Sequence, residues 1–265
     1  MTVVAYGETL GSQLYPGSQN GLNCLHSMVE HSESLLRLTA RQRAHTIWRL
    51  DGGFGTDAAI NWLLSRNYQV AVKGYNGLRA KKVIAMIDNT AWQELRPDRW
   101  FAVVEDQHTL RYARKTQTLA LYWITAQGLH KCALLIHTLL DQAPRDVVTF
   151  YDGRGAMEVE IKQDKVGLQL VRRRKQRWNA QAAWVTINDL AHNLLCWTHD
   201  WMWHDSEFQP FGCLRLVQDV LRVPGRLEFG GPKGDTLQKV ALLRSHPFAH
   251  EIIPCLERLF KELKP

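Results

Sequence analysis

The sequence predicts an α/β fold, and two stretches of the chain carry that prediction. In residues 45–73, a β-branched and aromatic run (HTIWRL) is followed by a helical segment and then by a second apolar run (YQVAVK). This order indicates a strand, helix, strand unit. In residues 151–165 (YDGRGAMEVEIKQDK) the charged side chains recur at helical intervals. Strands that alternate with helices are typical of an α/β sheet.

The composition is that of a globular protein with an excess of positive charge. The chain has 265 residues, 45% of them hydrophobic, a net charge of +7 and a pI near 9.2, and this charge favours nucleic acid as a partner. The cysteines lack the spacing of a disulfide framework or a zinc site, which fits a reducing cytosol. The sequence contains no uncharged run of membrane length and no basic-then-apolar leader. We therefore expect a cytoplasmic protein without a membrane partner.

The first 44 residues predict two elements ahead of the strand, helix, strand unit. Residues 2–6 (TVVAY) predict a short strand, and residues 14–21 are rich in turn-forming residues. Residues 22–38 carry apolar side chains at helical spacing, which predicts a helix.

Asp51 ends the first strand of the unit and is followed by Gly52, Gly53, Phe54 and Gly55. Three glycines in four positions allow a tight turn and a close approach of backbone or ligand. An acidic residue at the carboxyl end of a strand lies where open α/β sheets bind their ligands. The alternative is an aspartate that only caps the turn. From these residues alone, the two interpretations are equally supported.

Residues 76–145 predict a mostly β segment with many interleaved Arg and Lys residues. Residues 83–87, 100–105, 118–125 and 131–140 are expected to form short strands, or a strand plus a helix. Trp123 is interpreted in two ways, as a core residue or as a platform for an unpaired base, a contact worth about 1–3 kcal/mol in single-strand binders. The core interpretation is the more common one for a tryptophan.

The stretch 151–165 holds the most specific pattern in the chain. On a helix, Tyr151, Arg154, Glu158 and Lys165 project within a stripe roughly 60° wide, and Lys162 lies within about another 20° of it. A face with a phenol, a carboxylate and three cations is expected to meet water or charged chemistry. The alternative is a solvated face, which stabilises a helix by only a few tenths of a kcal/mol.

Two further segments follow this stretch. The run VRRRKQRW at 171–178 places Arg172, Arg173 and Arg174 side by side, and it is either a solvated surface or a phosphate-binding segment. Residues 182–203 are apolar with several tryptophans and predict a buried packing helix, interrupted by Asn188, Asp189, His192 and Asn193.

Taken together, these motifs resemble those of a large group of bacterial insertion-sequence transposases of the DDE cut-and-paste type. The spacing Y-x2-R-x3-E-x6-K is the signature around the last catalytic acid of that group, and RLDGGFG resembles the motif of its second acid. The resemblance covers nearly the whole chain. It implies a ribonuclease-H-like α/β core over residues 1–75 and 146–205, a mostly β insertion over 76–145 that contacts DNA ends, and a C-terminal region over 206–265.

The resemblance also implies a site and its cofactor. Three carboxylates hold two divalent metal ions, Mg²⁺ with Mn²⁺ as a substitute, and Asp51 and Glu158 are expected to be two of these metal-binding catalytic residues. The basic and phenolic side chains near them are expected to bind double-stranded DNA at the transposon ends and the target: Tyr151, Arg154, Lys162, Lys165, Arg172, Arg173 and Arg174.

One departure from the family pattern changes the functional expectation. The family's first acid lies on the first core strand, and no matching Asp precedes the glycine-rich turn here. Glu8, the only early acid, has no recognisable motif context. The core is therefore expected to be incomplete at its N-terminus, and the chain to be a transposase fragment that is inactive alone. The alternative is a noncatalytic DNA-binding or subunit-poisoning protein. Association with the nucleoid and a homodimer are further expectations.

Overall fold

The computed structural model describes residues 3, 7–105, 108–153, 155–171, 176–231 and 236–262. The chain divides into two compact units. The sheet unit is Tyr15–Gly155, and the C-terminal unit combines Met1–Leu14 with Ala156–Pro265.

The sheet unit contains five helices and six strands within its described residues. The helices are α1 (Gly21–Leu36), α2 (Ala40–Ala44), α3 (Asp57–Ser65), α4 (Gly77–Ile84) and α5 (Pro144–Asp152). The strands are β1 (Ile47–Leu50), β2 (Gln69–Lys73), β3 (Gln93–Arg96), β4 (Arg99–Val103), β5 (Gln117–Ile124) and β6 (His130–His137).

These strands form one mixed sheet in the order β1-β2-β6-β5-β4-β3 within the described residues. β1 and β2 are parallel, with Trp48 opposite Val70, and α3 connects them. Parallel neighbours need a crossover connection of this kind, so the predicted strand, helix, strand unit is confirmed. The other neighbouring pairs are antiparallel. The α/β class is confirmed as well.

The central strands are buried on both faces. In β2, Val70 and Val72 pack into a cluster with α1, α3 and α4, while Ala71 packs into a second cluster with α5. β5 and β6 alternate between the same two clusters. Helices therefore cover β2, β6 and β5 on both sides of the sheet.

The strand predicted at residues 83–87 is wrong, because Val83 and Ile84 are the last residues of α4 and residues 85–87 form a turn. The side chain of Asn76 accepts a hydrogen bond from the backbone N–H of Arg79 and caps the helix. Ala80 and Val83 lie three residues apart and are both buried, so one helical face packs on the sheet. The other strands predicted in residues 76–145 correspond to β4, β5 and β6. They continue the sheet of β1 and β2, and their interpretation as an insertion stays a prediction.

The single helix predicted over residues 151–165 is divided between two elements. Helix α5 ends at Asp152, and α6 begins at Gly155. Glycine is a weak helix former, and Gly153 follows the last residue of α5. Tyr151 is therefore on a different helix from Glu158, Lys162 and Lys165. Arg154 lies outside the described residues.

The C-terminal unit is mainly helical. Its elements are α6 (Gly155–Gly167), α7 (Trp178–Thr198) with a π-helical turn (His199–Trp203), α8 (Cys213–Arg215) with a second π-helical turn (Leu216–Val220), the antiparallel hairpin β7 (Gly225–Gly230) and β8 (Thr236–Leu242), and α9 (Ala249–Glu262). Its core contains edge-to-face aromatic pairs around the fully buried Phe208. The strand predicted at residues 2–6 lies, except for Val3, outside the described residues.

Two further findings concern the chain as a whole. Its cysteines are free thiols: Cys24, Cys132, Cys196, Cys213 and Cys255. Among the described residues, the helices are too short or too polar to cross a membrane.

His137, at the end of β6, makes the sheet unit sensitive to acid. The residue is fully buried, and within the described residues neither ring nitrogen has a hydrogen-bond partner. Burial lowers the pKa of His137 to about 4, from the usual 6.5. Its neutral form is therefore the one that the fold accommodates.

We expect the free energy of unfolding to fall by about 2–3 kcal/mol as the pH decreases from 6.5 to 4, because the unfolded chain binds a proton that folded His137 refuses. Above pH 6.5 both states are neutral and this contribution to the pH dependence disappears. Urea unfolding at several pH values measures it. In His137→Leu the free energy of unfolding should change less steeply with pH between 6.5 and 4. In the control variant His130→Gln, which changes an exposed residue of the same strand, the pH dependence should match that of wild type. Equal slopes in wild type and His137→Leu would contradict this assignment.

Candidate functional site

Asp51 lies immediately after β1 and is exposed. Its carboxylate accepts a hydrogen bond of 2.6 Å from the backbone N–H of Gly52 and caps the 3-10 turn Gly52–Phe54. Asp51 therefore caps the turn, but whether capping is its only role stays open, because a carboxylate oxygen has further lone pairs to offer to a cation.

Gly55 fixes this turn against the end of β2. A Cβ atom at Gly55 would lie 1.9 Å from the carbonyl oxygen of Lys73, and the backbone N–H of Tyr75 donates to the Gly55 carbonyl at 2.9 Å. The glycine-rich sequence thus allows close backbone approach, as predicted. Because β1 and β2 are parallel, their carboxyl ends, with Asp51 and Lys73, lie at the same edge of the sheet.

Lys73 is a residue that the sequence reasoning missed. Its aliphatic carbons lie where a Cβ atom at Gly52 would meet them at 3.7 Å. Its ammonium lies 4.8 Å from the ring centre of Trp123, and the guanidinium of Arg99 lies 5.4 Å from the same centre. The signal was available, because Lys73 ends the second strand of the predicted strand, helix, strand unit, and such units usually pair their strands in parallel.

Trp123 packs at the edge of the cluster beneath α5 and is partly buried. Two cations lie over its ring, an arrangement that stabilises both the aromatic and the charged side chains. These contacts favour the core interpretation of Trp123.

Helix α5 is tied to β1 by two hydrogen bonds next to Asp51. The hydroxyl of Tyr151 donates to the carbonyl of Leu50 at 3.1 Å, and the guanidinium of Arg49 donates to the carbonyl of Phe150 at 2.7 Å. Tyr151 is only 4% exposed, so the expectation that it shares a solvent-facing stripe is wrong. Its ring is apolar enough to enter the core, while its hydroxyl finds a backbone partner. The predicted contact of Tyr151 with DNA stays a prediction.

Glu158 lies in the first turn of α6, in the C-terminal unit, and is exposed. Lys162 and Lys165 follow on the same helix and are also exposed. At about 100° per residue the three side chains share a face roughly 60° wide. This part of the predicted stripe is confirmed as helical and solvent-facing. The roles of these residues toward metal and DNA stay predictions.

Helix α6 is held to α7 by a partly buried ion pair. His192 donates from Nδ1 to the carboxylate of Asp164 at 3.0–3.1 Å and from Nε2 to the carbonyl of Gly7 at 2.9 Å. The hydrogen bond with Asp164, helped by contacts with Cys196 and Gly7, raises the pKa of His192 to about 11. The imidazole is therefore charged at neutral pH, and it fixes the helix that bears Glu158.

The polar residues that interrupt the apolar pattern of α7 form hydrogen bonds with other residues of the C-terminal unit. Asn193 exchanges two hydrogen bonds with the backbone of Thr9, and Asp189 accepts one from Ser12. The pattern predicted a helix correctly, but the partners of these residues lie about 180 positions away in the sequence.

The C-terminal unit also contains a pocket of about 520 Å³, which is lined in part by His192, Cys196 and Cys213. Burial raises the pKa of the Cys213 thiol to about 12, which leaves it protonated and unreactive.

Several basic residues of the sheet unit have partners inside that unit. The guanidinium of Arg79 forms a two-pronged ion pair with Asp57 at 2.7 and 2.9 Å, and Arg114 donates to the carbonyl of Tyr68 at 2.9 Å. These cations stabilise the fold and contribute less to a DNA-binding surface than the sequence suggested. Arg172, Arg173 and Arg174, like Arg154, lie outside the described residues.

The donor types at Asp51 and Glu158 fit a hard divalent cation, since both are exposed carboxylates and Mg²⁺ prefers oxygen ligands. Asp51 belongs to the sheet unit and Glu158 to the C-terminal unit, so their proximity stays a prediction. Within the described residues, no group of three or more His, Cys, Asp or Glu side chains is arranged to hold a metal ion.

Comparison with known families gives a match over almost the entire chain. The family model described as transposase DDE domain, group 1, matches residues 4–263. No curated protein matches the sequence.

Proposed function

Because the chain belongs to the DDE transposases, whose domain model spans nearly all of it, we propose that it derives from an enzyme that cleaves and transfers DNA strands at insertion-sequence ends. We propose further that it is of the group with the Y-x2-R-x3-E-x6-K signature and has a ribonuclease-H-like core. The observation that best supports the proposal is the exposed Asp51, which directly follows β1 and lies at the same carboxyl edge of a parallel strand pair as Lys73.

Each side chain has a distinct role in this proposal. Asp51 and Glu158 would hold Mg²⁺ or Mn²⁺ together with a third acid, and such ions would supply Lewis-acid chemistry for strand cleavage. Tyr151 and Arg49 position Asp51, because they fix the last residues of β1 against α5. Lys73, Lys162 and Lys165 orient phosphates as point charges, whereas Arg154 offers a forked contact.

The 265-residue chain is proposed to supply two of the three metal-binding acids. Glu8, the acid with the best claim to be a third, accepts a hydrogen bond of 2.6 Å from the indole N–H of Trp197 in the C-terminal unit. This engagement favours the second candidate function, a noncatalytic protein that binds transposon DNA or joins and inactivates an intact transposase. Metal binding separates the two candidates, because only the first requires Asp51 and Glu158 to hold an ion, and the Mn²⁺ titration of their variants tests this. Cytoplasmic, nucleoid-associated location and a homodimeric state belong to the proposal as well.

The first test of the proposal is DNA binding as a function of salt. We expect the purified chain to bind duplex DNA with little sequence preference and with an affinity that falls steeply with salt, because cationic contacts release counterions at about 0.9 per phosphate. Replacing Arg172, Arg173 and Arg174 with alanine should reduce the slope of log K against log salt by about 2–3. Fluorescence anisotropy with a labelled duplex measures the slope.

The matched control removes three exposed cations from the hairpin and its flank: Arg226→Ala, Lys239→Ala and Arg244→Ala. It has the same net charge as the first variant and should keep a steeper slope. If the two triple variants show the same slope, the effect is one of net charge only. A slope that neither variant changes would remove the segment 172–174 from the interface.

A further inference from the structure

Helix α6 carries Glu158 but has little buried surface of its own. Of the α6 residues whose burial the structure describes, Gly167 at the end of the helix is the one that is buried. Val159, Ile161 and Val166 are 54%, 46% and 53% exposed. A helix of a globular protein is normally held by an apolar stripe that packs on a core. Among the described residues, α6 has no such stripe, so other contacts must determine its orientation in the C-terminal unit.

The contacts that tie α6 to the rest of its unit are found in the second half of the helix. The carboxylate of Asp164 accepts a hydrogen bond from Nδ1 of His192 on α7 at 3.0–3.1 Å. Gly167 lies against α8, where a Cβ atom added to it would be 3.1 Å from Cα of Leu214. Of these two contacts the ion pair is the directional one, because a charge-assisted hydrogen bond requires a defined donor geometry.

The imidazole of His192 is itself fixed from both sides. The residue lies on the buried face of α7 with Val185 and Asn188, whereas other faces of this helix, which the sequence predicted to be buried, are exposed. Its Nε2 donates to the carbonyl of Gly7 at 2.9 Å. A carbonyl and the carboxylate of Asp164 only accept hydrogen bonds, so both ring nitrogens carry a proton. The ring therefore cannot rotate without losing one of its two bonds.

Asp164 and Glu158 are linked rigidly by the helix between them. They are six positions apart, which separates them by about 9 Å along the axis and by about 120° around it. A rotation of α6 by about 20° would move a carboxylate that lies about 6 Å from the axis by about 2 Å. Mg²⁺ takes its oxygen ligands at about 2.0–2.1 Å in nearly ideal octahedral geometry. A shift of this size would therefore remove a ligand from such an ion.

From the sparse packing of α6 and the two-sided anchoring of the imidazole, we infer that His192 is a positioning residue. Through Asp164 it sets the rotation of α6 about its axis, and hence the direction of the Glu158 carboxylate. The inference rests on the proposed function in one respect, which is that Glu158 binds a metal ion. The link between His192 and α6 requires neither metal nor DNA.

Two substitutions of His192 separate its two hydrogen bonds. The amide nitrogen of Asn reaches the position of Nδ1, and that of Gln reaches the position of Nε2. His192→Asn should therefore keep the bond to Asp164, whereas His192→Gln should keep the bond to Gly7 and lose the one to Asp164. Both variants remove the same charge and bury an amide, so each is the matched control of the other.

Hydrogen exchange of the full chain without metal tests the link. Peptides from residues 156–165 should exchange about tenfold faster in His192→Gln than in His192→Asn, because α6 opens locally. Peptides from residues 249–262, in α9, should exchange as in wild type. If His192→Gln also accelerates α9, Asp164→Asn decides, since it weakens the ion pair from the side of α6 and leaves the bond to Gly7 intact. Equal exchange of α6 in wild type and these variants overturns the inference.

Titration of Mn²⁺ followed by electron paramagnetic resonance tests the consequence for Glu158. His192→Gln should weaken Mn²⁺ binding by about threefold or more, a smaller effect than the about 10–100-fold of groups that touch a ligand directly. In the background of Glu158→Gln it should have no further effect. The control is His204→Gln, since His204 forms an exposed ion pair with Asp205 at 3.0 Å in the same unit. It should change neither exchange nor Mn²⁺ binding.

The two measurements distinguish failure of this inference from failure of the proposed function. If Glu158→Gln leaves Mn²⁺ binding unchanged, the metal-binding role of Glu158 is wrong, and the exchange of α6 alone shows whether His192 holds the helix. If Glu158→Gln weakens binding and His192→Gln does not, although it frees α6, the positioning role of His192 is overturned.

Discussion

Gly55→Ala is expected to destabilise the sheet unit by roughly 3–5 kcal/mol, which is close to the whole stability of many domains. The added Cβ would lie 1.9 Å from the carbonyl oxygen and 2.9 Å from the carbonyl carbon of Lys73. Both are backbone atoms, so no side-chain rotation relieves the clash. The φ angle of Gly55 is −86°, which any residue adopts. The requirement for glycine therefore comes from close packing between the turn and β2.

Gly53→Ala is the matched control, because it makes the same chemical change two residues away. A Cβ atom there would meet no described atom within 4 Å, and Gly53 is exposed. Its effect on the free energy of unfolding should stay within about 1 kcal/mol. Urea unfolding is monitored by the hydrogen exchange of peptides from residues 47–73, which gives the free energy of unfolding of the sheet unit itself. Similar small effects of both variants would show that the turn can move away from β2.

The local part of the fold could be predicted from the sequence. β1, α3 and β2 were predicted because each has its own signal: a β-branched run, a capping Thr56 and a second apolar run. The end of α4 resembles a strand because Val83 and Ile84 are β-branched, whereas the capping Asn76 indicates a helix. The helical periodicity of residues 151–165 hides the break between α5 and α6, which Gly153 alone indicates.

The acidic residues of the candidate site could be predicted from the sequence, but the hydrogen bonds that hold them in place could not. Asp51 and Glu158 were selected from motifs, and Lys73 could have been added from the strand pairing. By contrast, the bonds from Tyr151 to Leu50 and from Arg49 to Phe150 each join residues 101 positions apart. Contacts at such separations leave no periodic signal in the sequence. The ion pair between His192 and Asp164 joins two different helices across 28 positions, and it likewise leaves no periodic signal.

The two proposed metal-binding acids are expected to act as a pair. Asp51→Asn and Glu158→Gln should each weaken Mn²⁺ binding, and the double variant should be little weaker than either single variant, because residues that share an ion are not additive. Titration of Mn²⁺ followed by its electron paramagnetic resonance signal measures the affinities. Additive losses would mean that the two carboxylates bind ions independently and lie in separate sites.

The largest expected effect concerns catalysis: the purified 265-residue chain should neither nick nor join transposon-end DNA with Mg²⁺ or Mn²⁺. Two-metal displacement needs both ions held in place, one at the attacking oxygen and one at the leaving oxygen. With Asp51 and Glu158 as its only assigned ligands, at least one ion is poorly positioned, and misplacement of about 1 Å can reduce a rate by about a hundredfold. The measurement is an end-cleavage assay of the chain beside Glu158→Ala. Metal-dependent cleavage that disappears in Glu158→Ala would contradict the prediction and reveal a third ligand. Glu8→Gln would then be the first variant to test, since Glu8 would have to exchange its bond with Trp197 for a metal ion.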